Sequence, residues 1–221
     1  ATSSTRAIWR SGASWPTGPI QPGIEMVELQ HRQQPPAELT QFQQQFPNAP
    51  VQDWESPAFQ NAKNAAKAAL NADQGGLCVY CEKQLPADRG HVEHIKPKAG
   101  PNAHPHLCFT YTNLAQSCLT RNTCGQKKSN AILPIEPGPN CNADWTLSTD
   151  GTIEPRPNIA QAREAEVTRT RDLLGLNDNA DLVDERKRWF DTAYEVFVST
   201  PAALPTFLQA NPYRHILATA F

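Results

Sequence analysis

The sequence has no run of about 18 apolar residues, so it predicts no transmembrane helix. Its first twelve residues, ATSSTRAIWRSG, lack the apolar core that a secretion signal requires. We therefore expect a cytoplasmic protein with no membrane partner. No internal repeat is visible, which argues against a solenoid or a propeller. The 221 residues suffice for one domain, or for one domain with a helical extension.

The chain as a whole also lacks the positive charge that is typical of nucleic-acid-binding proteins. Its formal net charge is −2 at pH 7, and its pI is about 6.3. The charge is unevenly distributed, however, because residues 78–128 contain seven basic and three acidic side chains. A basic segment in an acidic chain favours a local site for a polyanion, although a solvated loop with several lysines would give the same count.

Five of the six cysteines lie between Cys78 and Cys124. Because cytosolic thiols stay reduced, cysteines clustered in this way point to a metal rather than to disulfides. Cys78 and Cys81 form a C-x-x-C pair, and Cys118 and Cys124 form a second pair with five residues between them. Two such pairs favour a structural zinc site, whereas a redox pair would need a thioredoxin-like strand and helix context that is missing. The remaining two cysteines are predicted to be small buried residues: Cys108 and Cys141.

Between the two cysteine pairs lies the segment His91-Val-Glu-His94. In an extended segment Glu93 and His94 point to opposite faces. Glu93 can bind a hard divalent cation, and neutral His94 can take a proton from water. A surface histidine beside a surface carboxylate is the alternative. Asn113 follows about 20 residues later and can tie the intervening loop together or hold the histidine ring, but it can equally be a helix cap.

The segment CGQKKSN, residues 124–130, is predicted to begin a helix after the second cysteine pair. Its backbone amides, together with Lys127 and Lys128, can bind phosphate groups, unless these lysines are simply solvated. Gln126 or Asn130 can complete the shell of a metal ion. Two further basic residues are candidates for contacting nucleic acid: Lys96 and Lys98.

The sequence patterns of the flanking regions mainly predict helices. Helical patterns occur over residues 36–46, 57–74, 159–174, 180–199 and 212–220. Residues 1–35 read as an extended arm, either disordered or wrapped over the body or a partner, and a hairpin is predicted around Asp150-Gly151. The predicted fold is α+β. A strand–strand–helix unit within 77–130 lies in a core of residues 57–158, preceded by 1–56 (the arm with a short helix) and followed by a C-terminal helical region, 159–221.

These segments together resemble the HNH endonuclease family, and within it the PtuB-type proteins of Septu and retron-associated antiphage systems. The segments that carry the resemblance are GLCVYCEKQL, HVEHIKPK, YTNLAQSC and CGQKKSN. The resemblance implies a ββα-metal fold with structural Zn²⁺ on the four paired cysteines. It also implies His94 as general base, Asn113 as the residue that orients it, and Glu93 as a ligand of catalytic Mg²⁺ or Mn²⁺.

The resemblance further implies a nucleic-acid substrate, DNA rather than RNA, and a PtuA-like ABC/SMC-type ATPase as partner. The sequence departs from the family at Gln126, where relatives often carry a histidine, and this leaves the third metal ligand open. Two alternatives therefore stay open. One is a module stabilised by structural zinc that binds nucleic acid or protein without catalysis. The other is a scaffold that docks on the ATPase and carries a degenerate nuclease site.

Overall fold

The computed structural model describes residues 26–221. Most of the predicted arm, residues 1–25, lies outside them. The rest of the arm, up to residue 35, packs on the body of the protein. Met26, Val27 and Leu29 are buried, and the Val27 amide donates to the carbonyl of Val79 at 3.1 Å. The sequence left open whether the arm is disordered or wraps over the body or a partner. For this segment, wrapping over the body is confirmed.

Two helices precede the cysteine-rich segment: α1, Ala37–Gln45, and α2, Pro57–Asp73. The predicted apolar stripe of α2 is buried in full: Phe59, Ala62, Ala66, Ala69 and Leu70. Ser56 occupies the N-cap position as expected, but its buried hydroxyl makes no hydrogen bond within residues 26–221. The helix ends before two glycines with left-handed backbone, Gly75 and Gly76.

Two small antiparallel sheets follow. Strand β1, His91–His94, pairs with β2, Leu114–Ser117, in a register that sets His94 opposite Leu114. A five-residue helix, α3, Cys124–Lys128, comes next. The hairpin predicted around Asp150-Gly151 is confirmed: β3, Trp145–Leu147, pairs with β4, Ile153–Pro155.

The C-terminal part is helical: α4, Gln161–Leu174; α5, Ala180–Ser199; α6, Leu204–Ala210; and α7, Arg214–Ala218. Asn179 caps α5, since its side-chain oxygen accepts from the Leu182 amide at 2.9 Å. The short α6 has no counterpart among the predicted helices. Within the described part of the chain, no helix is long and apolar enough to cross a bilayer.

Two hydrophobic cores flank the β1–β2 pair. One surrounds the paired cysteines and the second hairpin, and the C-terminal helices cover it. The other joins α1 and α2 to β1 and includes Trp54, which comes from a short 3-10 segment, Val51–Glu55. Val92 belongs to the second core and Ala115 to the first. The β1–β2 pair is therefore fixed on both sides, and the position of each side chain that it carries is fixed too.

Candidate active site

The four paired cysteines converge as the sequence predicted. Their sulfur atoms all lie within 4.8 Å of one another, and all four side chains are buried. Cys78 and Cys81 sit in a turn closed by hydrogen bonds such as Cys78 N–H to the Lys83 carbonyl at 2.9 Å. Cys118 directly follows β2, and Cys124 begins α3. Four buried thiols at this spacing can hold one metal ion.

The electrostatics of the cluster set Cys118 apart from the buried cysteines outside it. Hydrogen bonds from the neighbouring thiols, that of Cys124 first, hold the pKa of Cys118 well below its usual value. Burial instead raises the pKa of Cys108 to about 11 and that of Cys141 to about 12. Both are buried outside the cluster, as predicted. Within the cluster the Cys118 thiolate is therefore favoured, because the Cys81 and Cys124 thiols donate to it and their own pKa values are raised in return.

Strand β1 directs its side chains to two sides. Val92 and His94 point toward the core around Trp54, and the rings of Trp54 and His94 are 4.2 Å apart. His91 and Glu93 share the other side with α3, where the Glu93 carboxylate meets Lys128. The alternation of a strand explains this separation. The sequence therefore correctly placed Glu93 and His94 on opposite faces.

His94 is only 7% exposed, and its ring nitrogen Nε2 lies 2.9 Å from the carbonyl oxygen of Cys108. A carbonyl can only accept, so Nε2 carries the hydrogen, and Nδ1 of the neutral ring carries the lone pair. Burial, with a smaller contribution from the Lys98 charge, lowers the pKa of His94 to about 4. The imidazole is therefore neutral at cellular pH, with a basic nitrogen that makes no hydrogen bond within residues 26–221.

Asn113 closes the loop between β1 and β2. Its side-chain oxygen accepts from the Lys96 amide at 2.9 Å, and its amide group donates to the carbonyls of Lys96 and Leu107 at 3.0 and 3.3 Å. Its own carbonyl accepts from Ile95 at 2.9 Å. Asn113 thus holds the backbone that carries His94, whereas the ring itself is oriented by Cys108. Sequence reasoning missed this backbone carbonyl, for which no sequence signal exists.

Glu93 is buried between two partners. Its oxygen Oε1 lies 2.8 Å from Lys128 Nζ, and Oε2 lies 3.2 Å from His91 Nε2. Gly125 of α3 lies directly beside this carboxylate. A Cβ at that position would come within 2.6 Å of Oε2 and 3.0 Å of His91 Nε2. A side chain there would fill the space beside the two ligand-type atoms.

The other candidate residues lie partly inside and partly outside the cleft beside β1. Asn130 lines the cleft next to Glu93 and His94, whereas Gln126 is exposed and does not line it. Lys98 also lines the cleft, with its ammonium group 5.3 Å from the centre of the Trp54 ring. Lys96 lies outside the cleft, 4.0 Å from a carboxylate oxygen of Glu136.

The two lysines of α3 differ sharply. Lys127 is exposed and forms an ion pair with Asp178, beside the last turn of α4. Lys128 is buried, and besides Glu93 it donates to the carbonyl of His94 at 2.9 Å. The geometry therefore joins Lys128 to the site as a partner of the carboxylate. Its predicted contact with nucleic acid would require this ammonium group to leave its buried position.

The cleft has a volume of about 430 Å³ and lies between β1 and the exposed face of α2. The α2 wall consists of four polar residues: Gln60, Lys63, Asn64 and Lys67. The sequence analysis used only the apolar stripe of this helix and missed its opposite face. A signal was present, because these four residues follow the i, i+3, i+4, i+7 spacing of one helical face and include two lysines.

No family model matches the chain. A protein of Vibrio cholerae serotype O1 biovar El Tor, named "Retron Vc95 putative HNH endonuclease", is 38% identical to it over 201 residues. The alignment covers 87% of this chain and 98% of that protein. Such coverage spans the cysteine cluster, the β1–β2 pair and most of the helical regions. The resemblance noted from the sequence motifs is thereby confirmed, and the chain belongs to the HNH endonuclease family.

Proposed function

We propose that this chain is a metal-dependent endonuclease of the ββα-metal type that hydrolyses phosphodiester bonds. One observation carries the proposal: a neutral, oriented imidazole and a carboxylate occupy successive positions of β1 and line one cleft with a lysine on each wall. The order β1, β2, α3 fits a ββα unit. We take residues 57–158 as the nuclease core, with 1–56 and 159–221 as its flanking regions.

The donor atoms fit two kinds of metal. Four buried sulfur atoms within 4.8 Å suit a structural Zn²⁺, and a closed set of four thiolates leaves no position for substrate. Glu93 and Asn130, which line the same cleft, offer oxygen donors of the kind that Mg²⁺ or Mn²⁺ prefers, and the absence of a Cβ at Gly125 leaves space beside Glu93 Oε2. A divalent cation bound here would polarise the scissile phosphate and stabilise charge on the leaving oxygen.

The residues of the chain supply the remaining chemistry. His94 accepts a proton from water at Nδ1, while the Cys108 carbonyl holds Nε2 and fixes the ring. Asn113 is a positioning residue, because its side chain binds the backbone of the loop that carries His94. Lys98 and Lys67, on opposite walls, attract the phosphate backbone electrostatically without reading sequence.

The substrate and the partner follow from the family. We infer a nucleic-acid substrate, DNA rather than RNA, and a role as the nuclease of an antiphage system that includes a PtuA-like ABC/SMC-type ATPase. The name of the Vibrio relative, which assigns that protein to a retron, supports the defence setting. The ATPase partnership rests on the resemblance to PtuB-type proteins alone.

A cleavage assay tests the proposal. Purified zinc-loaded chain is incubated with supercoiled plasmid or with RNA, in Mg²⁺, in Mn²⁺ or without either cation, and with and without a PtuA-like ATPase. We expect metal-dependent nicking that His94→Ala abolishes and His106→Ala, at an exposed histidine outside the cleft, leaves intact. Undiminished cleavage by His94→Ala removes that residue from the mechanism. A wild-type chain that binds plasmid but never cuts it supports the non-catalytic alternative.

A further inference from the structure

We propose that His91 is a ligand of the same divalent cation as Glu93. It would supply the metal ligand that the sequence leaves open, because this chain has Gln126 where relatives often carry a histidine. This inference rests on the proposed function, since it adds a ligand to that cation site. His91 and Glu93 lie two apart on β1 and therefore project from the same face. Both line the cleft, so a cation entering from solvent meets the two side chains together.

The spacing of the two donor atoms suits one ion. His91 Nε2 and Glu93 Oε2 are 3.2 Å apart. Two ligands at right angles around an octahedral ion, each at about 2.1 Å, are themselves about 3.0 Å apart. The atoms therefore already stand near the separation of adjacent ligands. Lys128 occupies the other carboxylate oxygen, Oε1, which leaves Oε2 as the atom available to the cation.

The two nitrogen atoms of the His91 ring form few hydrogen bonds with the described residues. Its second nitrogen, Nδ1, is buried and has no hydrogen-bond partner among residues 26–221. The first, Nε2, lies within hydrogen-bond distance of the Glu93 carboxylate and of no other group in the described part of the chain. Nδ1 is enclosed by the protein, so Nε2, which faces Glu93, is the ring nitrogen available to a cation. Gly125 adds to this, since any larger residue would crowd both donor atoms at once.

Other residues fit the position less well. Gln126 is exposed and outside the cleft. His94 points to the opposite side of β1, with Nε2 bonded to Cys108. Asn130 lines the cleft and offers a further oxygen. A set of one imidazole, one carboxylate and one amide is harder to match with Mg²⁺ than with Mn²⁺, because imidazole prefers transition metals. The site should therefore bind Mn²⁺ more tightly than Mg²⁺.

Mn²⁺ titration followed by electron paramagnetic resonance tests the proposal on the zinc-loaded chain without substrate. We expect His91→Ala to weaken Mn²⁺ binding at least about 10-fold with unchanged zinc content, whereas His106→Ala binds as the wild type does. Pulsed measurements on bound Mn²⁺ should show nitrogen coupling from a directly bound imidazole. His91→Asp should retain Mn²⁺ but lose this coupling, a change that misfolding would not produce.

The outcomes separate this inference from the proposed function. If Glu93→Gln abolishes Mn²⁺ binding while His91→Ala stays within about twofold of the wild type, His91 is not a ligand and the nuclease proposal stands. Nitrogen coupling that survives in His91→Asp overturns the inference in the same way. A wild-type chain with no saturable Mn²⁺ binding overturns both, since the cation site itself is then wrong.

Discussion

Lys128 binds Glu93 through a fully buried ion pair. The two groups meet at 2.8 Å, with the lysine side chain 0% exposed and the glutamate side chain 10% exposed. The same ammonium group also donates to the carbonyl of His94. A single side chain of α3 therefore fixes both the candidate ligand and the backbone of the candidate base. Removing one partner of such a pair leaves a buried charge uncompensated.

We expect Lys128→Met to destabilise the fold by roughly 3 kcal/mol. Mn²⁺ should restore part of this loss, because the cation replaces the missing positive charge beside the carboxylate. Urea unfolding with and without Mn²⁺ measures both effects. Lys127→Met is the matched control, since its ion pair with Asp178 is exposed and should contribute at most about 1 kcal/mol. Equal stability of the two variants would show that the buried pair contributes little.

The four-cysteine cluster predicts that only four of the six cysteines are needed for zinc binding and folding. Cys78→Ser or Cys118→Ser should lose zinc and fold poorly, because a structural zinc ion contributes directly to the free energy of folding. Cys141→Ser, at an equally buried position outside the cluster, should keep one zinc per chain. Atomic absorption and circular dichroism read out the two effects. Retention of full zinc content by Cys118→Ser would contradict the proposed site.

Local patterns were sufficient to predict much of this fold. The apolar stripe of α2 and the turn at Asp150-Gly151 each follow from a periodicity or a turn preference over a few residues. The cysteine spacing likewise predicted the cluster, since few arrangements other than a shared metal bring two such pairs together. The short α6 was missed, because seven residues give too little periodicity to recognise.

The site itself was only partly predictable, for a different reason. Glu93 and His94 stand out because they are adjacent in the sequence. Their partners do not: Lys128 reaches Glu93 across 35 positions, and the carbonyl of Cys108 reaches His94 across 14. Lys128 has the same side chain as its exposed neighbour, and only the packing of α3 against β1 buries it. Backbone atoms and long-range packing of this kind leave no mark on residue identity.

Burial of neutral His94 predicts a specific loss of stability in acid. Its pKa falls from 6.5 to about 4 on folding, so the unfolded chain binds more protons between these values, and stability decreases as the pH drops from 6.5 toward 4. At pH 5 the loss relative to pH 7 should be about 2 kcal/mol. His94→Gln should lose correspondingly less over this interval. Urea unfolding of both chains at each pH measures the difference, and His106→Gln provides the control at an exposed position. Parallel losses in wild type and His94→Gln would show that another group dominates.

Gly125 tests whether the space beside Glu93 matters. In Gly125→Ala the new Cβ would come within 2.6 Å of Glu93 Oε2 and 3.0 Å of His91 Nε2, so the two donor atoms must shift from their present positions. We expect Mn²⁺ affinity to fall at least about 10-fold while the zinc content stays unchanged. Gly138→Ala is the matched control, because a methyl group added there would meet no atom of residues 26–221 within 4 Å. Isothermal titration with Mn²⁺ compares the two, and equal affinities would show that this space is not needed.

The position of Lys67 on the α2 wall of the cleft predicts that it contributes to substrate binding. Lys67 lines the cleft together with Lys98, and within residues 26–221 its ammonium group donates only to the carbonyl of Asp88, so no carboxylate among these residues neutralises its charge. Lys67→Gln should therefore weaken binding to any sequence about equally. It should also reduce the slope of log affinity against log salt by about one, because one phosphate contact is lost.

Fluorescence anisotropy with labelled duplexes of two unrelated sequences, at four salt concentrations and in the His94→Ala background to prevent cleavage, measures both quantities for Lys67→Gln. Lys187→Gln is the control, because that lysine lies on α5 outside the cleft and forms an exposed ion pair with Asp191. An unchanged salt slope in Lys67→Gln would place the path of the nucleic acid away from α2. A loss confined to one of the two sequences would mean that Lys67 contacts bases, which a residue bound only to phosphate cannot do.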